Sequence, residues 1–115
     1  MVATESELAT VIRDFIRRLE TGIRVEVLIL FGSYAHGTPH DWSDIDLAVI
    51  SPDFEDLPIN RRQEKIASLT RGRARSLAPI GYASSQYHNP GAHSFLREII
   101  KTGRIVYQAN ATRTF

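Results

Sequence analysis

Phe31-Gly32-Ser33-Tyr34-Ala35-His36-Gly37 and, after a short interval, Ser43-Asp44-Ile45-Asp46-Leu47-Ala48-Val49-Ile50 are the segments whose reading decides the fold. The first closes a run that starts at Arg24 and turns continuously apolar from Val27, as a strand covered on both faces does. Gly32-Ser33 breaks that strand, and Ser33 to His36 is expected to form a short helix ended by Gly37. The second segment is a strand, Asp44 to Ile50, stopped by Ser51-Pro52. Residues two apart on a strand share a face, so Asp44 and Asp46 project together, their Cα atoms ~6–7 Å apart. Ile45 and Leu47 point the other way, into a core.

Working outward, Leu8, Val11, Ile12, Phe15, Ile16 and Leu19 recur at three- and four-residue steps and predict an amphipathic helix from Ser6 to Glu20. Thr4 or Ser6 can cap it and Gly22 can end it. After the second strand comes an acidic loop, Asp53 to Pro58, then a helix from Asn60 to Arg71 anchored by Ile66 and Leu69, with Gly72 near its end. Leu77 to Ala83 reads as a third strand whose pairing Pro79 limits. Ala92 to Thr102 reads as a helix with Phe95, Leu96, Ile99 and Ile100 inward. Arg104 to Gln108 is a closing strand. Alternating helices and strands define an α/β or α+β domain, a small mixed sheet with helices packed on it, spanning residues 1–115 as one unit.

Composition narrows the function classes. The 115 residues are 43% apolar, enough for a core, and contain no cysteine, which removes disulfide scaffolds, thiolate zinc sites and cysteine nucleophiles. No basic stretch opens the chain and no apolar run could span a bilayer, so the expectation is a cytoplasmic domain without membrane association. Net charge is +1, but its distribution is uneven. Val25 to Asn60 carries seven acids and no Lys or Arg, whereas Arg61, Arg62, Lys65, Arg71, Arg73 and Arg75 face only Glu64 in the next fifteen residues. The basic run has no interleaved aromatics, so direct nucleic-acid binding is not indicated.

Two carboxylates held on one face repel each other, and a divalent cation relieves that repulsion. Magnesium suits such a pair, because it takes one or two protein carboxylates together with waters and substrate phosphates. Gly32-Ser33 supplies a complementary feature: backbone N–H groups at a helix start, a serine hydroxyl, and a glycine that lets a phosphate approach closely. A phosphate cradle beside paired carboxylates is the equipment of phosphoryl or nucleotidyl transfer. No G-x-x-x-x-G-K-[ST] run is present, so this is not a P-loop.

The two segments, with Ser33 and Asp44 separated by the ten residues Tyr34 to Ser43, resemble the minimal nucleotidyltransferases of the DNA polymerase β-like superfamily. The ending Phe95-Leu96-Arg97-Glu98-Ile99-Ile100-Lys101-Thr102-Gly103-Arg104-Ile105-Val106-Tyr107 extends the resemblance. It implies a palm-like mixed sheet with helices on one side and magnesium-dependent transfer of a nucleoside monophosphate, AMP from ATP by preference, to a hydroxyl acceptor with release of pyrophosphate. By matching positions, Gly32 and Ser33 would hold the triphosphate and Asp44 and Asp46 the metals. Many such proteins are encoded beside a helical HEPN-domain partner and act as the antitoxin of a toxin–antitoxin pair.

The family pattern also implies a third carboxylate on the strand after the intervening helix. The matching segment is Leu77-Ala78-Pro79-Ile80-Gly81-Tyr82, with Ala78 where relatives carry an acid. Candidate substitutes are Glu64, Glu98, Asp53, Glu55 and Asp56. The departure supports an alternative reading, a catalytically impaired nucleotide-binding or antitoxin module that acts by binding its partner. A metal–nucleotide-sugar glycosyltransferase reading of the D-x-D pair has no use for Gly32-Ser33.

Other side chains carry bland and sharp readings. Arg61, Arg62 and Lys65 read first as a solvated helix face, then as triphosphate or acidic-partner contacts. His36 and His40 read as solvated loop residues. Trp42 either stacks on a base or covers the core edge. Ser43 contacts Asp44 or a phosphate, or shapes a turn. Tyr82 and Tyr87 read as packing residues.

Overall fold

The computed structural model describes residues 2–40, 43–71 and 77–109. Asp41, Trp42, Gly72, Arg73 and Arg75 lie outside them, so the expectations attached to those side chains do too.

The chain begins with helix α1 (Glu5–Leu19). A capping box starts it: the Glu7 N–H donates to Thr4 Oγ1 at 3.1 Å and the Thr4 N–H to Glu7 Oε1 at 2.8 Å, satisfying two otherwise orphaned donors. Leu8, Ile12, Phe15, Ile16 and Leu19 form its buried stripe, as their spacing predicts. Strand β1 (Val27–Phe31) follows, then the single-turn helix α2 (Ser33–His36) and strand β2 (Ile45–Ser51). A 3-10 turn (Pro52–Phe54) leads into helix α3 (Ile59–Leu69), strand β3 (Leu77–Ala83), helices α4 (Ser84–His88) and α5 (Phe95–Thr102), and strand β4 (Arg104–Gln108).

The four strands are ordered β3-β2-β1-β4. β1 runs antiparallel to both β2 and β4, and β2 runs parallel to β3 through the α3 crossover. The two central strands are the two continuously apolar runs of the sequence. One face, carrying Leu28, Leu30, Leu47 and Val49, packs on Leu8, Ile12, Phe15 and Leu19 of α1, Phe54 and Ile66.

The other face is also covered. Val27, Ile29, Ala48 and Ile50 pack on Leu96 and Ile99 of α5, with Phe31, Ile80, Tyr82 and Tyr87 at the margin. Helices on one side only, as the resemblance implied, is therefore corrected: the β-face residues at alternate positions of β1 and β2 are apolar on both sides, and α5 covers the second. The expected inward stripe of α5 is corrected as well. Leu96 and Ile99 are buried, but Phe95 remains 59% and Ile100 37% exposed. An eight-residue helix lying on a sheet buries one narrow stripe, and Phe95 and Ile100 flank it on opposite sides.

β3 is an edge strand, consistent with Pro79. Its outer edge is closed from α3. Gln63 Nε2 donates to the Pro79 carbonyl at 2.8 Å, and the Gly81 N–H donates to Gln63 Oε1 at 2.9 Å. One side-chain amide thus takes the place of a neighbouring strand's peptide group. Among the described residues no helix is long and apolar enough to cross a membrane.

Candidate functional site

The C-terminal end of β1 and the first residues of β2 and β3 meet at one end of the sheet. Register pairs Phe31 with Asp46 and Asp46 with Ala78. Paired residues project from the same face, so Asp46 stands between Phe31 and Ala78 on the face that α5 covers further along.

Gly32 is fitted to Asp46 by two independent constraints. Its φ of +76° with ψ of −155° is a conformation that only glycine adopts readily. A Cβ at this position would also collide with Asp46 Oδ2 and lie 3.1 Å from its Cγ. Glycine thus permits both the sharp exit from β1 and the close approach of the carboxylate. The Gly32 carbonyl accepts from the N–H groups of Ala35 and His36, both at 3.1 Å, which winds α2 into its one turn. Gly37, at φ +75°, ends that turn in the left-handed conformation expected of a terminal glycine. Tyr34 fastens α2 to the body: its ring is buried and its hydroxyl accepts from the Ala3 N–H at 3.0 Å.

Asp44 is exposed just before β2, and Asp46 is half-buried. Burial, and secondarily the charge of Asp44, push the Asp46 carboxyl above the ordinary aspartate range. That is the electrostatic state of an acid whose ionised form lacks compensation. The turn before Asp44 is closed by Ser43, whose hydroxyl accepts from the His40 N–H at 2.9 Å while its own N–H donates to the His40 carbonyl. Ser43 therefore takes the turn role. His36 and His40 are exposed.

Ala78 occupies the β3 position beside Asp46, where a longer acidic side chain would join the pair. Among the described residues no group of three or more metal-ligating side chains exists. Asp53 and Glu55 follow the opposite end of β2, where Asp53 binds Arg24 and Glu55 binds Ser85. Glu64 pairs with Arg61 on α3. None of these three completes the Asp44–Asp46 pair.

The basic helix is also reassigned in part. Arg62 is buried and serves as a structural bolt: its guanidinium donates to the Leu57 carbonyl at 2.7 Å, Gln86 Oε1 at 2.9 Å and the Gly81 carbonyl at 3.3 Å. It joins α3 to β3 and α4 and is neither a solvated residue nor near Asp46. Arg61 and Lys65 are exposed, as a solvated face requires.

With this geometry, the relationship to known proteins is informative. The nucleotidyltransferase domain model matches residues 10–106, and the chain belongs to that family. A crystal structure of a Sulfolobus solfataricus protein proposed to be a nucleotidyltransferase aligns with a TM-score of 0.69 at 15% identity, covering 93% of this chain and 85% of that one; it shares the fold. The toxin–antitoxin pair MntA–HpeT, solved as a double Asp→Glu mutant, gives a TM-score of 0.49 at 19% identity over 94% of this chain and 76% of that one, too low to bear on function. Comparison with curated proteins gave no match.

Proposed function

We propose that the chain transfers a nucleoside monophosphate, AMP from ATP, to a hydroxyl acceptor. The observation that carries this reading is the contact between Gly32 and Asp46: a strand-ending glycine with no room for a Cβ, set against a carboxylate whose pKa is raised by burial and by Asp44. Gly32 and Ser33 would bind the triphosphate, and Asp44 and Asp46 would hold magnesium. Two carboxylates suffice for one ion that also takes phosphate oxygens and waters. When bound, magnesium neutralises the phosphate charge that builds up as pyrophosphate departs. In this reading the triphosphate would lie against Gly32 and Ser33, with its α-phosphorus beside Asp46.

Ala78 beside Asp46 favours a second reading of the same site. Nucleotide binding survives, and transfer is slow because no third carboxylate assists the attacking oxygen. In either reading the partner would be a HEPN-domain protein neutralised as a toxin, an expectation that rests on the sequence resemblance.

The test is labelling by α-labelled ATP with magnesium in a lysate of the source cells, using Asp44→Asn/Asp46→Asn as control. Label on one macromolecule with the wild type alone supports transfer. If label is absent but magnesium–ATP still binds, Ala78→Asp decides: a gain of ~100-fold or more is expected when a missing metal ligand worth several kcal/mol is restored. Wild type and double mutant binding ATP equally would overturn both readings.

A further inference from the structure

Phe95 is the most exposed aromatic side chain among the described residues, with 59% of its surface open, and it stands near the candidate site. The link is Phe31. That residue directly precedes Gly32, shares the sheet face of Asp46 through register pairing, and meets the Phe95 ring edge to face, centroids 5.8 Å apart and planes at 83°. Ser94 fixes the start of α5 and with it the Phe95 backbone: its hydroxyl accepts from the Arg97 N–H at 3.1 Å. Beyond Phe95 lies a groove of about 170 Å³, bordered by Tyr82, Gln86, Asn89 and Ser94. It has room for a planar ring system, and the amides of Gln86, whose oxygen already accepts from Arg62 and the Ala83 N–H, and of Asn89 stand at its border.

We propose that Phe95, held by Phe31, is the stacking platform for the base of the bound nucleotide. This rests on the reading that Gly32, Ser33, Asp44 and Asp46 hold the triphosphate. A nucleotide fixed there by its phosphates can lay its base along the Asp46 face of the sheet. On that face, Phe31 and Phe95 form the aromatic path leading from the phosphates. A ring exposed to water gains by stacking on a base, and such stacking is tolerant of base identity because every base has a π-face. The mixed character of the groove, a ring surface with amides at its border, fits a nucleobase better than a wholly apolar protein side chain.

The experiment compares binding of magnesium–ATP with that of magnesium–tripolyphosphate, which has the phosphates and no base, by calorimetry on the whole chain. Phe95→Ala is expected to weaken ATP by about tenfold or more, the scale of one lost base–aromatic stack, and to leave tripolyphosphate unchanged. Phe95→Leu, which keeps apolar bulk and removes the ring, is expected to follow Phe95→Ala, and Phe95→Trp to retain ATP affinity. Equal effects on the two ligands, no effect on either, or full ATP affinity in Phe95→Leu would overturn the proposal. Asp44→Asn/Asp46→Asn separates the two levels. If it loses both ligands while Phe95→Ala loses neither, the phosphate reading stands and the stacking platform falls. If the double mutant keeps tripolyphosphate affinity, or wild type binds neither ligand, the underlying reading fails and takes the platform with it.

Discussion

The two ends of the sheet treat acidic residues in opposite ways. At the far end, beyond the last residues of β2 and β3, Asp53 accepts from the Arg24 N–H at 2.7 Å and from its guanidinium at 2.8 Å. The Arg24 guanidinium and backbone N–H hold its carboxyl below the usual range. Glu55 accepts from the Ser85 hydroxyl and N–H, which lower it in the same way. At Glu26, burial opposes ionisation, but the neighbouring Ser84 hydroxyl and His88 ring outweigh it. At the near end Asp46 is raised, by burial and by Asp44. Acids of the first kind favour the folded chain when ionised; an acid of the second kind disfavours it. The difference separates carboxylates that tie loops together from one that burial and a like charge hold against ionisation.

Mutations can break or sharpen this contrast. The largest effect is expected at the far end, where Phe54 is fully buried in the core. Phe54→Ala should destabilise by ~3–5 kcal/mol, the usual range for an emptied aromatic site, measured by urea unfolding, with magnesium–ATP affinity unchanged in the fraction that stays folded. Next is Gly32→Ala, expected to remove ~1–3 kcal/mol through backbone strain alone and, unlike Phe54→Ala, to abolish magnesium–ATP binding by displacing Asp46. A Gly32→Ala protein that binds ATP normally would break the assignment of the near end.

Asp46→Asn should do the reverse of an ordinary site mutation and stabilise the metal-free protein at neutral pH. Because the folded pKa is raised, the stability linked to Asp46 is complete below the unfolded-state pKa and is lost as pH rises through the folded one. The wild-type deficit relative to Asp46→Asn should therefore vanish as pH falls through that window, followed by thermal melting across pH. The smallest effect is expected for Asp53→Asn. Its lowered pKa gives the opposite sign: stability present above the unfolded-state pKa and lost as pH falls through the folded one. The exposed Arg24 partner keeps the loss small. If the two aspartate mutants showed the same pH slope, the contrast between the ends would collapse.

Much of this was readable from the chain because local rules and tertiary packing agree. Ser33–His36, Leu77–Ala83 and Arg104–Gln108 fall where glycine, proline and alternation place them. Asp46 and Gly32 were readable because strand periodicity and a strand-breaking glycine are local properties; Asp44, expected as the first strand residue, lies just before β2, near enough to Asp46 for its charge to be felt there. The features that escaped are held by distant partners. α4 has no apolar period of its own; Glu55, thirty residues away, binds its Ser85, and Gln86 accepts from the Ala83 N–H at 2.9 Å. Arg62 looks like any other member of a basic helix until Leu57, Gly81 and Gln86 surround it. Phe95 reads as core by its type, and only the position of α5 over the sheet leaves it open. Ala78 was suspect from family pattern alone; its register opposite Asp46 gives that departure a physical place.

The amide of Gln63 has a consequence for how the protein fails. An exposed strand edge invites pairing with another chain, and here the edge of β3 is screened by side chains: Gln63 on Pro79 and Gly81, Arg62 on the Gly81 carbonyl, and Gln86 on the Ala83 N–H. The part of the screen that Gln63 and Arg62 supply exists only while α3 is wound and docked. Because Ile66 of the same helix packs in the core, loosening α3 uncovers the β3 edge and opens the core in one event, so the aggregation-prone edge appears together with exposed apolar surface.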